Sequence, residues 1–261
     1  MKQLLIICAL LSYLLISVSC QSGAPKNGHD DSGDLIVAAA ANLTDAFAEI
    51  GPRFTTKTGI RAVFSFGATA DLAKQIENGA PFDVFAAADT EHVEQLESKG
   101  LLTPGTRAIY ARGRLVIWLP PGSKLKVERI QDITGKDFER IAIPKPDVAP
   151  YGQAAVESLR TLGIWNEIEK RIVYAQNVSQ AKQYAATGNT EIAFIPLALV
   201  KSGEGSYLEV SEDTHRPIDQ ALGIIKDSTK QVAARQFAEF LLSDQGQELL
   251  SQKGYRKPPA R

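Results

Sequence analysis

Apolar runs of strand length alternate along this chain with stretches whose apolar positions recur at helical spacing. Residues 35–40 (LIVAAA) are continuously apolar, the pattern of a strand buried on both faces of a parallel sheet. Helical periodicity follows over residues 43–50 and extends toward Thr58, with Gly51-Pro52 predicted to kink or split it. Residues 61–66 read as a second strand, 70–78 as a helix closed by Gly79, and 83–88 as a third strand. Asp89 is placed to cap a helix over residues 90–98. A βαβαβα series of this kind predicts a doubly wound α/β sheet, whose ligands bind at the carboxyl ends of the strands.

The alternation continues with strands at residues 115–119 and 140–143, and a helix at 153–162 entered through Pro150-Tyr151-Gly152. A strand at 171–174, a helix at 178–187 capped by Gly188 and a short strand at 192–195 stopped by Pro196 follow. A strand at 221–225 and an amphipathic helix at 230–242 then look like the return of the chain to the first unit. The predicted domains are a first lobe of residues 35–112 plus 217–261 and a second of residues 113–216. Two lobes joined by two crossings predict a hinged clamshell.

Four of the strand-to-helix turns share one feature. AAANLTDAF, SFGATADL, VAPYGQAAV and QNVSQAKQ each run from an apolar strand into a helix with a small polar residue or a free backbone amide at the turn. Helix N-termini carry unsatisfied N–H groups and the positive end of the helix dipole, so several aimed at one point would bind an anion. Each turn also has an ordinary explanation. Asn42 and Thr69 are favoured helix caps, Tyr151 is a packing aromatic, and Val178 is core. Coincidence alone would then have to set all four at strand ends of two lobes.

Composition narrows the partner. The chain carries 29 basic and 30 acidic residues, a net charge of -1, which argues against nucleic acid because phosphate-backbone binding needs a basic face. Residues 1–20 read as a secretory signal: Met1-Lys2, an apolar run over 4–16, then small residues before Cys20. Cys20 resembles a bacterial lipoprotein processing site, at which it would be lipidated and become the mature N-terminus; a plain secretory leader cleaved nearby is the alternative. Cys8 falls inside the leader, so no internal disulfide is expected. Residues 21–34 (QSGAPKNGHDDSGD) have no apolar period and read as a flexible tether.

AAANLTDAF, TGIRAVFSFGATADLAKQIENGAPFDVFAAAD, the PYG turn and the NVSQA turn resemble, in order and spacing, the molybdate-binding proteins that feed ABC importers. The resemblance covers residues 35–261, and its most specific block is residues 58–89. It implies a two-lobed periplasmic-binding-protein fold of the type II-like clamshell kind, each lobe a mostly parallel sheet flanked by helices. It implies an extracytoplasmic monomer, anchored to the membrane if Cys20 is lipidated, that hands molybdate or tungstate to ABC permease subunits. The ligand would be a tetrahedral oxyanion held by neutral donors, and no cofactor or cation site is expected beyond molybdenum as molybdate.

Carried over by motif, Asn42 would donate from its side-chain amide and backbone N–H, Thr69 from its hydroxyl and N–H, and Tyr151 and Val178 from their N–H groups. Ala41 and Ala68 are possible additions to the set. Ala68 lacks a hydroxyl that many relatives carry, and Pro196 stands where some donate from a tyrosine, so one or two family hydrogen bonds are absent or replaced.

None of the four turns places Arg or Lys at a donor position, so dipoles must meet the ligand's charge. Such donors satisfy a fully deprotonated oxyanion, whereas a protonated phosphate also needs an acceptor. Asp45 and Asp71 are expected to face solvent or helix ends. Molybdate and sulfate would be separated by cavity size; molybdate and tungstate are too alike for these residues to separate.

Catalytic chemistry finds little support in the residues. His29, His92 and His215 read as solvated, no Cys/His cluster has metal spacing, and Gly67-Ala68-Thr69 lacks both the P-loop lysine and the dinucleotide glycine spacing. Two further readings stay open: an α/β enzyme using the same helix ends for a phosphorylated substrate, and a membrane-tethered oxyanion sensor.

Overall fold

The computed structural model describes residues 33–258. The leader, Cys20, His29 and nearly all of the tether lie outside the described residues.

In chain order the elements are β1 (Leu35–Ala40), α1 (Thr44–Thr58), β2 (Ala62–Gly67), α2 (Thr69–Glu77), β3 (Val84–Ala86), α3 (Glu91–Ser98) and β4 (Ala108–Arg112). The chain then crosses to β5 (Leu115–Leu119), β6 (Ile141–Pro144), α4 (Pro150–Thr161), α5 (Trp165–Ile168), β7 (Ile172–Ala175), α6 (Val178–Ala186), β8 (Ile192–Pro196) and β9 (Ser206–Glu209). It returns through β10 (Asp219–Ile224), α7 (Gln231–Leu242) and α8 (Asp244–Gln252).

The strands form two five-stranded sheets of matching topology, ordered β2-β1-β3-β10-β4 and β7-β6-β8-β5-β9. The first three strands of each sheet pair in parallel, and the fourth runs against both neighbours. Each reversed strand is the one delivered by a crossing: β5 arrives from β4 through Gly113-Arg114, and β10 arrives from β9 through residues 210–218. Four strands of each sheet therefore point the same way, and the α1, α2, α4 and α6 N-termini gather at their carboxyl ends, as the doubly wound pattern requires.

Helix α1 corrects one expectation, because it runs unbroken through Gly51-Pro52. The hydrogen bond lost at the proline costs little here, since Ala48, whose carbonyl would accept it, is exposed, as is Pro52. Gly51 is required by packing: a Cβ there would come within 2.8 Å of the Phe64 ring. Phe64 in turn joins Phe47, Phe54 and Phe237 in an aromatic cluster with ring centroids 5.0 to 6.0 Å apart, which seats α1 and α7 on the first sheet.

The crossings are fastened by charge and backbone. Gly113 N donates to Ile218 O at 2.9 Å, joining the two crossings directly. Arg112 makes a two-pronged ion pair with Asp219 at 2.6 and 2.9 Å, and Arg114 pairs with Glu209. Arg256, beyond α8, exchanges backbone hydrogen bonds with Arg112 at 2.9 Å and reaches Glu209 and Glu212.

Candidate functional site

Each of the four turns leaves backbone N–H groups pointing out of a helix start. The first is a 3-10 turn over Ala41–Leu43 between β1 and α1, with the Ala41 carbonyl taken by Thr44 and the Asn42 N–H in the orphan first turn. At the second, α2 opens on Thr69 after the extended Ala68. At the third, Pro150 occupies the first position of α4, where a missing N–H costs nothing, so Tyr151 carries the first free amide. At the fourth, the Asn177 side chain accepts from Gln180 N at 3.0 Å and leaves the Val178 N–H unclaimed. None of these four N–H groups enters the backbone hydrogen bonds made outside helices and strands.

These turns meet. One small cavity, about 210 Å³ of empty space, is lined by Ala41, Asn42, Ala68, Thr69, Tyr151 and Val178 together with five neighbours from the same turns and with Ala88. All six of these residues are at least nine-tenths buried, and no charged side chain lines the cavity. The two lobes touch around it: Ala70 N donates to Val148 O at 3.2 Å, Ser179 Oγ to Ala41 O at 3.4 Å, and Gln176 Nε2 to Asp71 Oδ2 at 3.3 Å. Asp71 thus serves a contact across the cleft, and Asp45 lines an outer groove away from the cavity.

The Thr69 hydroxyl is oriented by its neighbour. Its Oγ1 accepts from Ala88 N at 3.1 Å and makes no other hydrogen bond among the described residues, so its proton is left for an acceptor in the cavity. The Asn42 side chain behaves differently from the sequence expectation. Its Nδ2 donates to Gln220 Oε1 and to Tyr255 OH, both at 2.8 Å, while Tyr255 OH donates back to Asn42 O at 2.8 Å. Both amide protons are thereby spent inside the protein, and Asn42 can offer the cavity only its backbone N–H.

Sequence reasoning missed the layer beneath the cavity. Gln220, fully buried on β10, donates from Nε2 to Tyr151 OH at 2.8 Å and accepts at Oε1 from Asn42. Tyr110 OH lies 2.8 Å from Ala87 O and 3.0 Å from Gln220 Oε1. The orientation of the amides follows from proton counting: Tyr255 gives its only proton to Asn42 O, so it must accept from Nδ2, and Gln220 must then turn its oxygen to Asn42. Burial pushes the Tyr110, Tyr151 and Tyr255 phenols up, so all three stay neutral. Gln220 sits in DQALGI, where nothing but an amide in an apolar strand hinted at it.

Other expected features lie elsewhere. Pro196 ends β8 and does not line the cavity. Two larger grooves, about 1570 and 1040 Å³ of empty space, run along the outer seam between the lobes. His92 and His215 are not solvated as expected. His92 pairs with Asp89 at 2.7 Å, and that hydrogen bond, working against burial, holds its pKa above the ordinary value. His215 is buried on the second crossing with Nδ1 2.8 Å from Arg216 O. Among the described residues no group of three or more His, Cys, Asp or Glu could hold a metal ion, and no helix is long and apolar enough to cross a membrane.

A family model described as bacterial extracellular solute-binding protein matches residues 35–256. The molybdate-binding protein ModA of Rhodobacter capsulatus is 35% identical over 226 residues, covering 86% of this chain and 88% of that protein. ModA of Azotobacter vinelandii is 36% identical over 230 residues, covering 86% and 90%. The solved structure of the Azotobacter vinelandii periplasmic molybdate-binding protein overlays with a TM-score of 0.81 at 31% identity, over 87% of this chain and all of that one. The two-sheet fold, the matched span and these identities together place the chain in the bacterial extracellular solute-binding protein family, alongside its ModA members.

Proposed function

We propose that this protein captures molybdate, or tungstate, between its lobes and delivers it to the transmembrane subunits of an ABC permease. The observation that carries this reading is the single cavity where four helix-start turns from two lobes converge with no charged side chain. Backbone N–H groups of Asn42, Thr69, Tyr151 and Val178 and the Thr69 hydroxyl would surround a tetrahedral oxyanion, with Ala41 and Ala68 closing the wall. Dipoles fixed before the ligand arrives can stabilise a dianion without paying to reorganise, and the four helix ends add their own positive potential. With no carboxylate at the wall, the proton of a protonated anion lacks a charged acceptor, which disfavours phosphate. Sulfate meets the same donors but fills the cavity less completely.

The relatives are solute-binding proteins and not enzymes. The protein works outside the cytoplasm as a binding component of an ABC transporter. We take residues 35–112 plus 217–261 as one lobe and 113–216 as the other, acting as a monomer. Lipidation at Cys20 would tether it to the membrane through residues 21–34, and a Cys20→Ala protein released into the soluble fraction would support that anchor. Calorimetry with molybdate, tungstate, sulfate and phosphate tests the central reading. Tight binding of the first two and weak binding of the last two is expected; equal binding of all four, or of none, overturns it.

A further inference from the structure

We propose that Gln220 is a positioning residue that holds the donor turns of both lobes in register, and thereby sets how sharply the cavity separates anions by size. This inference rests on reading the cavity as the anion site.

A fully buried glutamine in a strand must be satisfied, and a leucine would pack there more cheaply. Gln220 spends its bonding capacity on groups that carry the turns. Its oxygen accepts from the Asn42 amide, fixing the first turn, and its Nε2 donates to the Tyr151 hydroxyl, fixing the start of α4 in the opposite lobe. Through Tyr110 it reaches the Ala87 carbonyl, and the next residue, Ala88, donates its N–H to Thr69 Oγ1. Three of the four donor turns are therefore joined to one side chain. The hinge leaves room for this contact: a Cβ on Gly113 would lie 2.0 Å from Tyr151 OH and 2.7 Å from Gln220 Nε2. Gly113 is not among the glycines with positive φ, so the requirement is one of space.

Tetrahedral dianions that differ in radius by a fraction of an ångström are separated only by donors that cannot relax onto the smaller one. Binding constellations generally need their donors held to about 0.5 Å by a supporting layer, which is the place Gln220 occupies.

Two variants test this in the full-length protein. Gln220→Met keeps length and apolar bulk but removes the hydrogen bonds; Tyr151→Phe keeps the ring and the backbone N–H and removes only the hydroxyl. Calorimetry measures molybdate affinity, with sulfate read by competition. Hydrogen–deuterium exchange of the ligand-free protein follows amides of residues 41–44 and 151–153. Both variants are expected to weaken molybdate about tenfold, sulfate less, and to quicken exchange at both turns, and the double variant is expected to lose little more than either alone. A purely structural role would lower thermal stability and leave the molybdate-to-sulfate ratio intact; a ratio within about twofold of wild type, or unchanged exchange at either turn, overturns the inference. If Gln220→Met does not fold, Tyr151→Phe carries both measurements. If wild type itself fails to bind molybdate, the functional reading falls, while exchange at the two turns still decides the role of Gln220.

Discussion

Thr69 shows how a residue chosen for a local reason acquires a role at a site. A threonine at a helix start usually serves the helix itself, but here its oxygen accepts from Ala88 across the lobe and its proton faces the cavity. Replacing it with alanine removes the bond from Ala88 and the hydroxyl proposed to donate to the anion. Molybdate binding measured by calorimetry should weaken by about 1–3 kcal/mol, the scale of a hydrogen bond to a charged group, and Thr69→Ser should recover most of the loss. Equal affinity in all three proteins would mean that the hydroxyl serves only Ala88. Asn42 runs the opposite way: the same propensity put an amide at the turn, but its side chain is consumed within the protein and only its backbone N–H is left for the cavity.

At the level of elements, α3 depends on one carboxylate. Asp89 accepts from His92 N at 3.1 Å as a cap and from the His92 ring at 2.7 Å. Because that hydrogen bond holds His92 above its ordinary pKa, folding favours the charged ring. The resulting stability is fully present below the unfolded value near 6.5 and is lost as pH rises through the raised folded value. The melting temperature of wild type should therefore exceed that of His92→Gln at about pH 5.5, and the gap should close by about pH 8.5. A gap independent of pH would show that packing, not charge, makes the difference. Elements with less local signal were not foreseen. β4 (Ala108–Arg112) is framed by charged residues, β9 (Ser206–Glu209) is a half-exposed edge strand without an apolar run, and α8 follows α7 with only Ser243 between them.

On the scale of the whole molecule, the ligand would add a bridge between lobes already joined by hydrogen bonds, by the Arg256 ion pairs to Glu209 and Glu212, and by a shared apolar core. A ligand that binds only the folded state, present at about one hundred times its dissociation constant, adds about 2.7 kcal/mol. For a chain of this size that corresponds to a rise of about 5–10 °C in melting temperature, readable by scanning fluorimetry with each of the four anions. The rise should be the same from about pH 6.5 to pH 8.5, because the donors are amides and a hydroxyl and the nearby phenols are pushed up by burial. A rise that varies steeply across that interval would point to a titrating group at the ligand.

What the sequence determined by itself was local. Continuous apolar runs marked β1, β5 and β8, helical spacing marked α2, α4 and α6, and the turn residues Asn42, Thr69, Tyr151 and Val178 were legible because strand, cap and helix are written within a few residues of one another. Family resemblance gave these turns a common ligand before any of them could be placed in space. The tertiary structure alone decided that the crossings deliver a reversed strand to each sheet, that Pro52 is tolerated inside a helix, and that Asn42 turns its amide inward. It alone brought Gln220 and Tyr255 to Asn42, 178 and 213 positions away, and Gln220 to Tyr151, 69 positions away. Periodicity carries no information over such separations, and an amide buried in an apolar strand finds its partners only when both lobes have been folded around it.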